Sequence, residues 1–232
     1  MSLLSYTWLG HATFLMQSPG GKRILFDPWV TGNPSAPQSK QIDAVDLILV
    51  THGHSDHTGD VVPIGRATGA QVVAPFELSV IFQKKGLKSV TGMNPGGTVH
   101  MLGITVTMVH AHHSSSFDDD NGTVYAGVAA GYVVEFENGL TIYYSGDTGV
   151  FSDMRLIGEM YRPQIAFLPI GDLFTMGPEQ AAKAVELLGV KNVVPMHWGT
   201  FPALTGSPAK LRALVEPKGV QVVELKPGET AS

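Results

Sequence analysis

The sequence contains no cysteine in its 232 residues. That absence excludes disulfides, thiolate metal sites and thiol nucleophiles, so any bound metal has to be held by His, Asp and Glu. It fits a reducing compartment. Charge is also scarce: 15% of residues are charged against 44% hydrophobic, and the formal net charge is −5. Lys and Arg are scattered, with Lys84-Lys85-Lys88 the densest group, so no electrostatic footprint for nucleic acid exists. Low charge with abundant apolar residues argues for a sizeable buried core and against disorder. Long apolar runs are missing. The longest mostly apolar stretch, Val124 to Val134, contains Gly127 and Gly131 and falls short of the ~20 residues that span a bilayer. The opening MSLLSYTWLG has neither the basic region nor the apolar length of a signal peptide. The chain reads as a soluble, cytoplasmic protein with no membrane partner. Rossmann and P-loop glycine signatures are absent, as is any 20–50-residue repeat. Nothing resembles a linker, so 1–232 reads as a single domain. The apolar composition is compatible with a homo-oligomer, but no stretch marks an interface.

Turn residues and periodicity divide the chain. Strands are expected at Ser5–Trp8, Thr13–Gln17, Arg23–Phe26, Asp46–Val50 and Val72–Ala74. Short helices are expected from Thr58 to Ala67 and over Phe76–Lys85. Val99–His112 alternates like one strand, with Ile104, Val106, Met108 and His110 on one face. Val124–Phe136 and Leu140–Ser145 flank Asn138-Gly139, which favours a type I′ hairpin turn. The last third reads αβαβ: a helix capped by Ser152, a strand Ile165–Leu168, a helix opened by Gly177-Pro178 and closed by Gly189, a strand Val190–Val194, a helix opened by Ser207-Pro208, and a strand Val220–Leu225. Many strands with interspersed helices suggest a layered α+β sandwich.

Against this background THGHSDHTGD, residues 51–60, stands out. It follows the apolar run Leu47–Val50 and places His52, His54, Asp56 and His57 within six positions. His52 and His54, two apart, point the same way on an extended backbone, while Asp56 and His57 fall where a helix begins. One loop can therefore aim two donors at one metal and two at a second, and such donors suit zinc, manganese, iron or nickel. Further donors lie at strand ends: His110, His112 and His113, then Asp147 in Ser-Gly-Asp-Thr-Gly, then His197 in Pro-Met-His-Trp.

This series of motifs resembles the metallo-β-lactamase superfamily. The similarity runs from Trp8-Leu9-Gly10-His11 through Phe26-Asp27-Pro28 to Val194-Pro195-Met196-His197. Ser145–Gly149, Phe167–Asp172 and Phe174–Pro178 are similar to its UPF0173-type metal-dependent hydrolases, related to the bacterial ascorbate-6-phosphate lactonases. The resemblance implies a four-layer αββα sandwich and two divalent metal ions, zinc first among them. It implies that His52, His54 and a third-motif histidine hold one ion, that Asp56, His57 and His197 hold the other, and that Asp147 bridges them. It selects His113 for the third motif, whereas strand alternation alone leaves His112 open. The activity implied is hydrolysis of a small ester, lactone or phosphoester by a metal-bridging hydroxide. A phosphodiesterase or nuclease of the same fold, or a diiron redox protein, is the alternative. Net negative charge counts against the former and His54, where diiron relatives favour Glu, against the latter.

Other residues have two readings each. Asp27 suits either a carboxylate behind a metal-bound histidine or a turn before Pro28. His11 suits an acid, base or oxyanion donor, or a hydrogen-bonded turn; with Asp56 it is the expected catalytic pair. Asp172 and Thr175 either position substrate or hold their own loop. Ser114-Ser115-Ser116 lacks a nucleophile elbow and reads as a polar loop. Asp118-Asp119-Asp120 lacks a calcium-loop pattern and reads as a solvated turn into Asn121-Gly122. His100 reads as structural, and Trp198 and Phe201 as pocket wall or core.

Overall fold

A computed structural model describes residues 3–38, 42–119 and 122–232. Two seven-stranded sheets pack face to face, each covered outside by helices. In the first sheet β1 (Ser5–Trp8), β2 (Phe14–Gln17) and β3 (Arg23–Phe26) are antiparallel. Then β4 (Leu47–Leu49), β5 (Gln71–Pro75) and β6 (Val90–Met93) add in parallel. Parallel addition needs crossovers, and α1 (Ser55–Thr58), α2 (Val61–Thr68) and α3 (Phe76–Lys84) lie in them. The second sheet repeats the plan. β7 (Thr98–Met101), β8 (Ile104–His110), β11 (Ala130–Glu135) and β12 (Thr141–Tyr144) are antiparallel. β13 (Ile165–Pro169), β14 (Asn192–Met196) and β15 (Gln221–Val222) follow in parallel. The intervening helices are α4 (Met154–Tyr161), α5 (Pro178–Leu188) and α6 (Pro208–Val215). Between β8 and β11, β9 (Ser116–Asp119) and β10 (Gly122–Tyr125) form a separate hairpin. A last strand, β16 (Thr230–Ala231), returns to pair with β1.

Alternation along the strands sorts the core into three layers. Phe14, Phe26, Val106, Met108, Tyr144 and Phe167 fill the space between the sheets. Val109, Val133, Tyr143 and Leu168 face α4–α6 on the second sheet, and Leu25, Ile48 and Val72 face the helices on the first. This is the αββα sandwich. No helix among the described residues is long and apolar enough to cross a membrane.

Strand direction fixes where chemistry can collect. β1, β3 and β4 run the same way in their sheet, and β8, β12 and β14 in theirs. Their carboxyl ends therefore lie along one edge of each sheet. The two edges are tied together: Ala130 N donates to Thr51 O at 3.0 Å, and Tyr132 OH to Val50 O at 2.8 Å. Gly146 makes the approach feasible, since a Cβ there would sit 2.7 Å from the Thr51 side chain and its φ is +59°.

Several local expectations are corrected. Val99–His112 is a hairpin, β7–β8, turning at Leu102-Gly103 with φ of +54° and +85°. Leucine in a turn that needs two positive φ values is a weak signal, and the alternation ran unbroken through it. Asn138-Gly139 does turn a hairpin, but only Gly139 has positive φ (+81°). Gly139 N donates to Phe136 O and Phe136 N to Leu140 O, at 2.9 and 2.8 Å. This is a three-residue loop with a glycine bulge rather than type I′. The helix expected from Thr58 is two, Ser55–Thr58 and Val61–Thr68. Val124–Phe136 is interrupted between β10 and β11, and the last expected strand shrinks to Gln221–Val222. Ser152 does not cap α4, whose N-cap is Asp153 without a side-chain bond. Gly177-Pro178, Gly189 and Ser207-Pro208 mark helix ends as expected. Ser116, Asp118 and Asp119 belong to β9 rather than to a loop or turn; Asp120 and Asn121 lie outside the described residues.

Candidate metal centre

Every donor expected from the motifs except His54, Asp56 and His57 follows a strand directly or within a few residues; of those three, His54 caps α1, and Asp56 and His57 lie within it. One donor atom each of His52, His54 and His113 lie within 4.8 Å of one another. The same holds for His11, Asp56, His57 and His197, and again for His52, His57 and Asp147. The third set overlaps the first two. Asp147 Oδ2 lies 3.1 Å from His197 Nε2, 3.3 Å from His57 Nε2, 3.7 Å from His113 Nε2 and 4.0 Å from His52 Nε2. The fold thus brings together all seven expected donors, and His11 with them.

Hydrogen bonds behind the cluster fix which ring nitrogen carries a proton. Asp27 is fully buried. Its Oδ1 accepts from Thr51 N at 2.8 Å, and its Oδ2 from Thr51 Oγ1 at 2.8 Å and His57 Nδ1 at 2.9 Å. Tyr144 OH stands 3.3 Å from Oδ2. The single Thr51 hydroxyl proton is committed to Asp27, so the 3.0 Å contact between Thr51 Oγ1 and His52 Nδ1 has the ring donating. His52 Nε2 then presents a lone pair toward His54 Nδ1, 3.0 Å away. By the same logic neutral His57 directs its Nε2 lone pair inward. His11 differs: Nε2 lies 3.0 Å from the carboxylate of Asp56 and must donate, so Nδ1 accepts from Thr200 Oγ1 at 2.8 Å. Both nitrogens of His11 are therefore committed to protein partners.

Charge is concentrated and buried. Burial pushes the Asp147 carboxyl up, but His197 and His57 outweigh it and hold it well below the usual carboxylate range. Asp56 is likewise held low against its burial by His57, His11 and His197. The reciprocal effect appears on the imidazoles. Burial pushes His197 and His57 down, yet Asp147 and Asp56 carry His197 up to about 9 and, with Asp27, His57 well above its ordinary value. His52, by contrast, is pushed well below by burial and by His57, and His11 down to about 4, chiefly by burial. The site demands positive charge; protons on His57 and His197 meet that demand, and a divalent cation that displaced them would meet it as well. Among the described residues, four buried side-chain polar atoms lack a hydrogen bond, and three of them are here: His57 Nε2, Asp147 Oδ1 and His197 Nδ1. Buried groups without partners are rare, so inward lone pairs, unpartnered donors and excess carboxylate together fit a metal.

Backbone strain marks the same place. Of seven described non-glycine residues with positive φ, His11 (+53°), Asp27 (+43°) and His197 (+54°) are at the cluster, and Asp172 and Leu173 follow β13 beside it. Sequence reading has no signal for this.

Other expected residues go elsewhere. His112 is exposed, stacks on Phe151 at 4.6 Å, and its backbone bonds Thr148 and Gly149, steadying the segment that carries Asp147. His110 is exposed and His100 makes a cross-strand contact to Thr105. Ser115 is buried and accepts from Gly53 N at 3.2 Å, so it braces the His52–His57 loop. Asp172 Oδ1 accepts from Leu173 N at 2.9 Å, and Thr175 contacts Met176 O, both within their own loop. Trp198 stacks on Trp8 at 5.3 Å against the inter-sheet core; Phe201 is 37% exposed. The sequence reading missed Thr51, Tyr144 and Thr200. Thr51 adjoins His52 and was findable; the other two are far in sequence from what they hold.

The Beta-lactamase superfamily domain matches residues 22–198. The chain is 54% identical over 230 residues to a UPF0173 metal-dependent hydrolase of Koribacter versatilis, covering 99% of this chain and 98% of that one. It is 49% identical over 227 residues to another from Rubrobacter xylanophilus, covering 96% and 94%. Among solved structures it is similar to Igni18, a metallo hydrolase of Ignicoccus hospitalis, with TM-score 0.87, 36% identity, and coverage of 98% and 97%.

Proposed function

Because the chain belongs to the metallo-β-lactamase superfamily, among its UPF0173 metal-dependent hydrolases, we propose that it is a dinuclear hydrolase of a small ester, lactone or phosphoester. The observation that carries this is Asp147 Oδ2, which lies within 4.0 Å of a donor nitrogen from both histidine groups. His52, His54 and His113 hold one ion, Asp56, His57 and His197 the other, and Asp147 serves both. Zinc suits these donors best; manganese, nickel and iron suit them too. Bound divalent ions would lower the pKa of a water and polarise the scissile carbonyl or phosphoryl oxygen.

The remaining work is done by the chain. Asp27 fixes the tautomers of His52, through Thr51, and of His57 directly. Asp27→Asn keeps the volume but turns an N–H₂ toward donors, so metal affinity falls by about 10–100-fold, read by competition with a chromophoric chelator. Unchanged affinity removes Asp27 from this role. His11 donates to Asp56 Oδ2 and holds it in position, and Thr200 keeps the His11 proton on Nε2. Thr200→Val therefore lowers kcat/KM by about 10–100-fold while Thr200→Ser stays near wild type. Equal activity of the valine variant rejects the assignment. The overall reading is tested by metal analysis of protein purified without added metal, followed by an activity screen over lactones, phosphodiesters and thioesters. A stoichiometry near zero that reloading does not raise refutes it.

A further inference from the structure

The cluster is partly open at Asp56, and also at the half-buried His54 and His113. The Asp56 side chain is 28% exposed, while those of His57, His197 and Asp147 are 0%, 2% and 3% exposed. His11, bonded to Asp56 at 3.0 Å, meets two aromatic rings edge-on, Trp29 at 5.3 Å and Phe201 at 5.8 Å, and these two rings lie 6.1 Å apart. Phe201 is 37% exposed and Trp29 half-buried, so packing does not consume them. Trp29 is nevertheless built in place. Its N–H donates to Thr13 Oγ1 at 3.0 Å, its carbonyl accepts from Asn33 Nδ2 at 3.0 Å, and the next two amides bond Asp60 Oδ2 at 2.6 and 2.8 Å. A Cβ at Gly59 would stand 2.9 Å from its Cδ1.

A second loop starts beside His197. A Cβ at Gly171 would clash with His197 O, and Gly171 O accepts from Gly206 N, in the segment that follows Phe201. Two residues on, Leu173 and Phe174 are 64% and 58% exposed, raised by two successive left-handed residues, Asp172 (+68°) and Leu173 (+58°). Left-handed leucine is costly, and an exposed apolar pair held that way has no stabilising role of its own. The ionic partners of Asp56 and Asp147 among the described residues are all imidazoles.

We propose that Trp29 and Phe201, with the Leu173-Phe174 loop that starts beside His197, form an aromatic subsite for a flat apolar group of the substrate, next to the bond that is cut. The proposal rests on the hydrolase reading and adds its substrate class: aryl-bearing or similarly flat, apolar-flanked esters and lactones. The test is calorimetric titration of zinc-loaded protein with phenylphosphonate and methylphosphonate, for wild type, Trp29→Ala, Phe201→Ala and Phe174→Ala. Phenylphosphonate is expected to bind wild type at least about tenfold more tightly, an offset-stacked ring being worth that much. Phe201→Ala, a surface change checked by thermal melting, brings the ratio to within about threefold, and the other two variants shift it the same way. Equal binding of both probes by metal-loaded wild type overturns the subsite alone, as does a preference that Phe201→Ala and Trp29→Ala both leave intact. Self-association lost in the variants, without any phenyl preference, reassigns the rim to a contact between copies and also overturns it. A chain that takes up no metal overturns the hydrolase reading itself, and the subsite with it.

Discussion

Asp147→Ala protein is expected to lose one or both metals and at least about a thousandfold in hydrolysis, ~4 kcal/mol of transition-state stabilisation. The carboxylate sits within 3.7 Å of His197, His57 and His113 and 4.0 Å from His52, so it reaches both donor groups. Its removal also leaves His57 and His197 without their strongest counter-charge, so their affinity for protons drops. Asp147→Asn provides the sharper version, because it keeps shape and loses charge. Metal content by elemental analysis and turnover on a substrate from the screen are the two readouts. An alanine variant that keeps two tightly bound metals and full activity ends the assignment of Asp147 as the shared ligand.

Chelation is expected to produce the largest change in stability. A ligand that binds only the folded chain stabilises it by about 4 kcal/mol at a thousand times its Kd. For a domain of this size that corresponds to roughly 8–16 °C in Tm. The cause is visible in the site: Asp147 keeps its charge buried and Asp56 keeps its charge partly buried, and three buried polar atoms there have no partner. Treatment with a strong chelator should lower Tm by that amount and abolish turnover, and stoichiometric zinc should restore both. A melting curve indifferent to chelator and zinc argues that the cluster holds no metal.

Much of this was legible in the chain. Pro and Gly punctuation found both ends of α5 and the start of α6, because fixed φ and left-handed caps are properties of single residues. Continuous apolar runs found β4 and β13 for the same local reason. The β7–β8 turn was not legible, since Leu102 adopts positive φ only because the paired strands impose it. Strands β6 and β16 were missed as well. β6 has half-exposed residues and a central glycine, and β16 is two residues whose pairing partner, β1, lies at the other end of the chain.

For the candidate site, composition without cysteine and the spacing of His52, His54, Asp56 and His57 determined the type of donor and the class of chemistry. Ligand preference and loop reach depend on residue identity and short separation alone. Which distant residues join them was decided by tertiary structure. Parallel strands direct the ends of β4, β8, β12 and β14 to one edge, and that brings His113 rather than His112 to Asp147. The proton positions on His52, His57 and His11 were decided there too, by Asp27, Thr51 and Thr200. A tautomer depends on which acceptor lies within 3 Å or so, and only the packed sheets bring residue 200 to residue 11.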